Sequence, residues 1–232
     1  MSESTYKIPF YNRLLRTILR PIFRGIFYLI SRVYIEGRER VPSCGPYLIV
    51  FNHISIFDPP FLVAFWPCAP EVAGAVEVWS RPGVSLLARM YGGIQVHRGQ
   101  YDRKLIDTLR NVLKAGYPLV IAPEGGRSHK PGMKRAHPGV AYLVDRAQVP
   151  VVPVGITGTT EDFFSRGIRG KRPTITMHIG DPVTLPPIEG RGKVRRDARQ
   201  NYADEIMRHI AALMPQEYGG VYAQEESSRD KP

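Results

Sequence analysis

A histidine and an aspartate follow a short apolar run in the first third of the chain. Residues 47–51 are apolar, His53 comes two positions after them, and Asp58 follows His53 with four residues between. A neutral imidazole, whose ordinary pKa is about 6.5, can take a proton from a hydroxyl near neutral pH. A carboxylate on the other ring nitrogen fixes the tautomer and stabilises the imidazolium. The pattern predicts a general base and its partner, and the alternative is a local structural hydrogen bond.

Two glycine-containing segments further along the chain have residue types that bind phosphate. Residues 92–99 contain a predicted short strand that ends in a basic pair, with Arg98 as its second member. Residues 122–128 follow another apolar run. Glycines let backbone N–H groups approach an anion, and a guanidinium can hold the anion with two hydrogen bonds. Each segment alone is a common kind of turn, but together with His53 they predict a base beside a phosphate site.

The order and spacing of four segments resemble those of the glycerolipid acyltransferases, and of the bacterial 1-acylglycerol-3-phosphate acyltransferases in particular. The segments are NHISIFD at 52–58, GIQVHR at 93–98, EGGRS at 124–128 and VPVVPV at 149–154. The likeness extends over residues 33–186. Four segments in order are far more specific than any one of them.

The resemblance implies a role for each segment. It makes His53 the general base and Asp58 its catalytic partner. It assigns substrate binding, and chiefly the acceptor phosphate, to Asn52, Arg98, Glu124, Gly125, Gly126, Arg127 and Ser128. It assigns the acyl-donor side to Pro150, Val151, Val152, Pro153 and Val154.

The implied reaction moves a fatty acyl group from a thioester to the free hydroxyl of a lysophospholipid. The donor would be acyl-CoA or acyl-carrier protein, the acceptor 1-acylglycerol-3-phosphate and the product phosphatidic acid. The hydroxyl, deprotonated by His53, would attack the thioester directly, and no metal or redox cofactor is implied. Another lysolipid or a glycolipid is an alternative acceptor. A serine hydrolase is disfavoured, because residues 83–87 lack the second glycine of the G-x-S-x-G turn.

The charge of the chain leaves a non-catalytic alternative open. Lys and Arg number 32 against 21 Asp and Glu, so the net charge is +11. Such a balance is typical of proteins that meet a polyanion, an anionic membrane or a phosphorylated substrate. A basic module that binds membranes or nucleic acid would explain the charge. It would not explain a histidine and an aspartate beside a phosphate loop, so we expect lipid partners and no nucleic acid.

The N-terminal residues predict a basic amphipathic helix. At about 100° per residue, one narrow arc holds Arg13, Arg16, Arg20 and Arg24. We expect these arginines to contact lipid phosphates at the cytoplasmic face of a membrane without the helix spanning it. The residues expected to enter the acyl region are Ile22, Phe23, Ile26, Phe27 and Tyr28. The alternative is a helix docked on the protein's own core, with the arginine side in solvent.

The rest of the chain alternates predicted strands and helices. Strands are predicted at 33–36, 47–51, 119–122, 149–156 and 174–179, and helices at 102–115, 138–147 and 194–214. This alternation is typical of an α/β fold with a mostly parallel central sheet flanked by helices. Two cysteines cannot build a disulfide framework, which favours a reducing, cytoplasmic setting. The predicted organisation is an anchor at 1–32, an acyltransferase domain at 33–214 and a mobile polar tail at 215–232.

Overall fold

One seven-stranded sheet organises the described part of the chain, which in this computed structural model comprises residues 6–43, 45–97 and 102–223. The strands are β1 Arg32–Glu36, β2 Leu48–Phe51, β3 Glu71–Ala75, β4 Ile94–Val96, β5 Leu119–Ile121, β6 Val151–Thr157 and β7 Thr174–Ile179. Their order in the sheet is β1-β7-β6-β2-β5-β3-β4. Every neighbouring pair is parallel except β6 and β7. The predicted mostly parallel α/β sheet is therefore confirmed.

Helices cover both faces of this sheet. Those in the described residues are α1 Phe10–Ile30, α2 Asp58–Phe65, α3 Val84–Tyr91, α4 Arg103–Lys114, α5 Gly139–Ala147, α6 Phe163–Ile168, α7 Gly192–Ala211 and α8 Gln216–Gly219. Asp102 caps the start of α4, since its side chain accepts the N–H of Leu105 at 3.1 Å. Strand β3 and helix α3 are not among the predicted elements.

The central strand β2 explains how the core is divided. Successive side chains of a strand point to opposite faces of the sheet. Ile49 and Phe51 therefore pack with α1, α2 and α6, while Leu48 and Val50 pack with α4, α5 and α7. All four side chains are buried. Because both faces of the sheet are covered, β2 is an uninterrupted apolar run. The residues that follow its carboxyl end lie at the edge of the sheet.

A buried ion pair docks α1 on the domain. The Arg16 guanidinium bonds both carboxylate oxygens of Glu71, and its Nε donates to the carbonyl oxygen of Tyr91 at 2.7 Å. The Arg16 side chain is 3% exposed and that of Glu71 is fully buried. Because a buried charge is costly unless it is paired and hydrogen-bonded, this contact fixes the helix against the edge of β3.

Two further arginines of α1 cap the end of α2. Arg20 Nε donates to the carbonyl oxygen of Val63 at 2.8 Å, and Arg24 Nε donates to that of Ala64. Carbonyls in the last turn of a helix have no intrahelical partner and lie at the negative end of its dipole, so cations there are favourable. The prediction that Arg16, Arg20 and Arg24 contact lipid phosphates is therefore wrong. The helix is docked on the domain, but through its arginine side, whereas the alternative placed that side in solvent; of the four arginines, only Arg13 is exposed.

The opposite side of α1 is apolar and exposed. Its exposed large side chains are between 43% and 80% accessible and comprise Phe10, Tyr11, Leu14, Ile18, Ile22, Ile26, Tyr28 and Leu29. Phe27, which was expected among them, is buried in the core instead. Among the described residues, no helix combines the length and apolarity that a membrane crossing requires. A contiguous exposed apolar surface of this kind indicates an interaction site.

Residues 215–223 are folded, contrary to the expected mobile tail. Tyr218 is buried, and its hydroxyl accepts the N–H of Gly158 at 3.1 Å. The hydroxyl of Tyr222 donates to Asp204 at 2.6 Å and accepts the N–H of Ala136 at 2.9 Å. These tyrosines attach the segment to the domain, a contact that its polar composition did not reveal. The remainder of the predicted tail lies outside the described residues.

Candidate active site

His53 and Asp58 form a hydrogen-bonded pair at the carboxyl edge of the sheet. His53 lies two positions after the end of β2, and Asp58 is the first residue of α2. His53 Nδ1 lies 2.9 Å from Asp58 Oδ2, which also accepts the N–H groups of Ile54 at 2.7 Å and Ser55 at 2.8 Å. The carboxylate is fully buried and the imidazole is 15% exposed. A carboxylate held on Nδ1 keeps the proton there and leaves the Nε2 lone pair able to accept one from a substrate.

The start of α2 explains why the carboxylate lies where it does. An acidic side chain in the first turn of a helix is stabilised by the positive end of the helix dipole. Pro59 follows Asp58, and proline fits the first turn because the N–H it lacks would have no intrahelical partner. The short segment between β2 and α2 therefore brings His53 and Asp58 together by local sequence alone.

The loop after β5 lies directly against His53. The N–H of Ser128 donates to the carbonyl oxygen of His53 at 2.8 Å, and the N–H of His129 donates to that of Ile54 at 3.2 Å. Gly125 has φ +65°, and a Cβ there would lie 2.6 Å from Cδ2 of His137. Only glycine fits this turn without strain. The loop after β5 and His53 therefore lie at the same edge of the sheet.

Glu124 supports this loop from within. Its Oε1 accepts the N–H of His53 and its Oε2 accepts the N–H of Lys134, both at 2.8 Å. Burial raises the pKa of Glu124 above its usual range, against the lowering effect of these two backbone donors. Both oxygens are engaged, and a carboxylate repels a phosphate. The contacts therefore make Glu124 a link between the loop and His53, contrary to the expectation that it binds the acceptor phosphate.

Asn52 also has a structural position. Its Nδ2 donates to the carbonyl oxygen of Ile156 at 2.8 Å, and its Oδ1 accepts the N–H of the same residue at 2.7 Å. The side chain is buried and extends the pairing of β2 with β6 by one step. One donor and one acceptor of the amide are thus engaged inside the sheet, which makes Asn52 a strand-pairing residue; its role in substrate binding stays a prediction.

The segment assigned to the acyl donor lies inside the fold. Residues 151–154 belong to β6, where Val151, Val152 and Val154 are almost fully buried in the two core clusters. Pro153 is buried with them. These side chains face the protein's own core, so the structure does not support a donor-binding surface here.

The remaining predicted binding residues divide into two groups. Gly125, Gly126, Arg127 and Ser128 are all partly exposed beside His53, and Lys134 Nζ donates to the carbonyl oxygen of Arg127 at 2.5 Å. Arg98 lies outside the described residues. The loop 125–128 is therefore the part of the predicted phosphate site that the structure places next to the base.

One contact to the His53–Asp58 pair had no signal in the sequence. The hydroxyl of Thr159 donates to Oδ1 of Asp58 at 2.5 Å from a position just beyond β6. The two residues are 101 positions apart in the chain. Only the pairing of β2 with β6 could have indicated that their loops meet.

A mostly parallel sheet with a hydrogen-bonded histidine–carboxylate pair and a glycine–arginine loop at its carboxyl edge defines an α/β protein with a polar site at the ends of its strands. The acyltransferase family model matches residues 32–157, more than half of the chain. The chain belongs to the acyltransferase family.

Individual relatives are similar at moderate identity. Human 1-acyl-sn-glycerol-3-phosphate acyltransferase alpha is 28% identical over 181 residues, covering 75% of this chain and 62% of that protein. Lyso-ornithine lipid O-acyltransferase of Pseudomonas aeruginosa is 28% identical over 172 residues, covering 67% and 66%. The chain thus spans about three-fifths of the length of the human relative.

A solved structure shares the fold. The 1-acyl-sn-glycerophosphate acyltransferase of Thermotoga maritima superposes with a TM-score of 0.61 at 21% identity, covering 87% of this chain and 79% of that one. The α/β architecture with helices on both faces is therefore an arrangement already seen in a solved protein.

Proposed function

We propose that this protein is an O-acyltransferase that moves a fatty acyl group from a thioester to the free hydroxyl of a lysophospholipid. The acceptor is 1-acyl-sn-glycerol-3-phosphate, and the product is phosphatidic acid. The observation that carries the proposal is the His53–Asp58 pair with Ser128 bonded to the His53 backbone, since this geometry is suited to a general base beside a loop that binds an anion. Family membership and the name of the human relative support the choice of reaction.

The proposed chemistry needs only one base. His53 Nε2 takes the proton of the acceptor hydroxyl as its oxygen attacks the thioester carbonyl carbon. Asp58 stabilises the imidazolium that forms, because its carboxylate already holds Nδ1 at 2.9 Å. The tetrahedral intermediate then expels the thiolate, which takes the proton from His53. The ester C–O bond has formed, the C–S bond has broken, and the protein returns to its starting state.

Acceptor binding is assigned to the loop 125–128. Backbone N–H groups at glycines and the Arg127 guanidinium are donors suited to a phosphate monoester. Lys130 and Lys134 are exposed nearby in the chain and add positive charge to this side of the molecule. The donor is acyl-CoA or acyl-carrier protein, and the proposed steps use no metal or redox cofactor.

The exposed apolar side of α1 is assigned to a membrane surface at the cytoplasmic face. A lysophospholipid is held in the bilayer by its acyl chain, so an enzyme that lies on the bilayer surface has direct access to this acceptor. Phe164 and Ile168 of α6, a helix that packs against α1, are also exposed and apolar. In this orientation the apolar residues enter the interface, while Arg16, Arg20 and Arg24 stay inside the protein.

An acyl-transfer assay with the purified protein tests the proposal. A panel of lysophosphatidic acid, other lysophospholipids and lyso-ornithine lipid is offered with acyl-CoA and with acyl-carrier protein, and products are identified by mass. We expect phosphatidic acid with the wild type and none with His53→Ala. Preferential acylation of lyso-ornithine lipid would instead favour the acceptor named for the Pseudomonas relative. No transfer with any pair of substrates would overturn the proposal.

A further inference from the structure

The two carboxylate oxygens of Asp58 are held by different parts of the chain. Oδ2 accepts His53 Nδ1 and two backbone N–H groups, all from its own loop. Oδ1 accepts the hydroxyl of Thr159, which comes from the far side of the β2–β6 pairing. Both Asp58 and Thr159 are fully buried. The orientation of the carboxylate is therefore set by a local loop on one oxygen and by a distant strand end on the other.

The turn after β6 positions the Thr159 hydroxyl next to Asp58. Gly158 has φ +85°, and a Cβ there would lie 2.1 Å from the carbonyl oxygen of Thr174. The N–H of Gly158 is bonded to the hydroxyl of Tyr218 at 3.1 Å. The chain can make the tight turn only with glycine, and it then places Thr159 against Asp58. A buried hydroxyl needs a partner, and here the partner is the free oxygen of the catalytic carboxylate.

We propose that Thr159 is a positioning residue for acyl transfer, acting on His53 through Asp58. This inference rests on the proposed function, because it assumes that the His53–Asp58 pair is the catalytic base. The Thr159 hydroxyl occupies Oδ1 and so holds the carboxylate in the rotation that keeps Oδ2 on His53 Nδ1 and on the two backbone N–H groups. Without the hydroxyl, the imidazole loses its fixed orientation in the step where it takes the proton, and substrate binding is unaffected.

The test compares variants that differ in one hydroxyl. Thr159→Val keeps the branched shape and removes the hydroxyl, whereas Thr159→Ser keeps the hydroxyl and removes a methyl group. We expect Thr159→Val to lower kcat at least tenfold with KM for both substrates within twofold of wild type. We expect Thr159→Ser to stay within threefold in kcat. A purely structural role predicts the reverse order, because it depends on the packing of the methyl group.

Thr160→Val is the matched control. The hydroxyl of Thr160 donates to Asp162 at 2.6 Å and touches neither member of the catalytic pair. We expect wild-type turnover from this variant. Thermal melts of all variants establish that they are folded, and Thr159→Ala takes the place of Thr159→Val, with the same criteria, if the valine variant fails to fold.

A double-mutant comparison tests whether the effect passes through Asp58. In an Asp58→Asn background, Thr159→Val should lower kcat less than twofold further, since residues that act as a unit are non-additive. Full additivity, or wild-type kcat for Thr159→Val, would overturn the proposal. His53→Ala is assayed alongside: if it stays active, the base assignment itself fails, and if it is inactive while Thr159→Val is not, only the role of Thr159 fails.

Discussion

Ser128 and His53 are joined through their backbones, with the Ser128 N–H donating to the His53 carbonyl oxygen at 2.8 Å. Glu124 adds a second link by accepting the His53 N–H at 2.8 Å. The two contacts that fix the loop next to His53 are therefore the Ser128 N–H and the Glu124 carboxylate, and neither belongs to Arg127. This separation makes the base and the anion-binding loop testable by independent substitutions.

Substitution of the catalytic pair should remove activity without unfolding the protein. We expect His53→Ala to abolish acyl transfer and Asp58→Asn to lower kcat by at least ~100-fold, because general-base catalysis contributes about that much or more. Asn cannot stabilise the imidazolium as a carboxylate does. Turnover is measured with lysophosphatidic acid, and circular dichroism checks the fold. Near wild-type turnover of folded His53→Ala would show that another group is the base.

Arg127 should affect the acceptor more than the chemistry. We expect Arg127→Ala to raise the KM for a phosphorylated acceptor roughly tenfold to a hundredfold, the effect of losing a charge-assisted hydrogen bond, with a smaller change in kcat. Arg127→Lys should recover only part of this, because an ammonium lacks the two parallel donors of a guanidinium. The comparison acceptor is a monoacylglycerol without phosphate. An equal loss with both acceptors would contradict the assignment.

The Arg16–Glu71 pair should be important for stability. Arg16→Met leaves the Glu71 carboxylate buried without its cation, and we expect a loss of about 3–5 kcal/mol in the free energy of unfolding. The double variant with Glu71→Leu should recover much of that loss, because it removes the unpaired charge as well. Urea denaturation measures both variants. A change below about 1 kcal/mol for Arg16→Met would mean that the buried pair does not hold α1 in place.

The exposed side of α1 should control membrane binding. We expect the triple substitution of Leu14, Ile18 and Ile22 to Gln to weaken vesicle sedimentation at least tenfold with little change in melting temperature, because these side chains are about half exposed. Binding through apolar contacts should persist at high salt.

The control for that triple variant is Val194→Gln, at an apolar position on α7 that is more exposed than the three on α1. It should leave vesicle binding unchanged. Unaltered sedimentation of the triple variant would remove α1 as the membrane contact.

Ionisation of Asp145 should make the free energy of unfolding depend on pH. Burial opposes its ionisation, but the hydrogen bond from Arg195 at 2.7 Å and the N–H of Ile188 at 3.0 Å dominate and lower the pKa of this carboxyl. A lowered folded pKa gives stability that is present above the unfolded value of about 3.9 and is lost as the pH falls below it. We expect Asp145→Asn to be less stable by about 2 kcal/mol at pH 7, with the gap narrowing towards pH 3. Urea titrations across this range measure it, and a constant gap would contradict the prediction.

The local amino-acid sequence determined much of this site. His53 and Asp58 meet because the apolar run before them forms a buried strand and the residues from Asp58 onwards begin a helix, so a few residues suffice to bring them together. The loop 124–128 reaches the same edge because parallel strands end on the same side of a sheet. Both outcomes depend on periodicity and on short loops, which a sequence displays directly.

The tertiary structure decided which polar groups form hydrogen bonds and ion pairs inside the protein. An amphipathic pattern shows that α1 has two sides, but which side faces inward depends on the partners that other elements supply. Here Glu71 and the carbonyls ending α2 make the arginine side the buried one. Asn52 is likewise committed to Ile156, and Asp58 to Thr159, each about a hundred residues away. Hydrogen-bond partners so distant in the chain are fixed by strand pairing, and no local pattern records which strands pair.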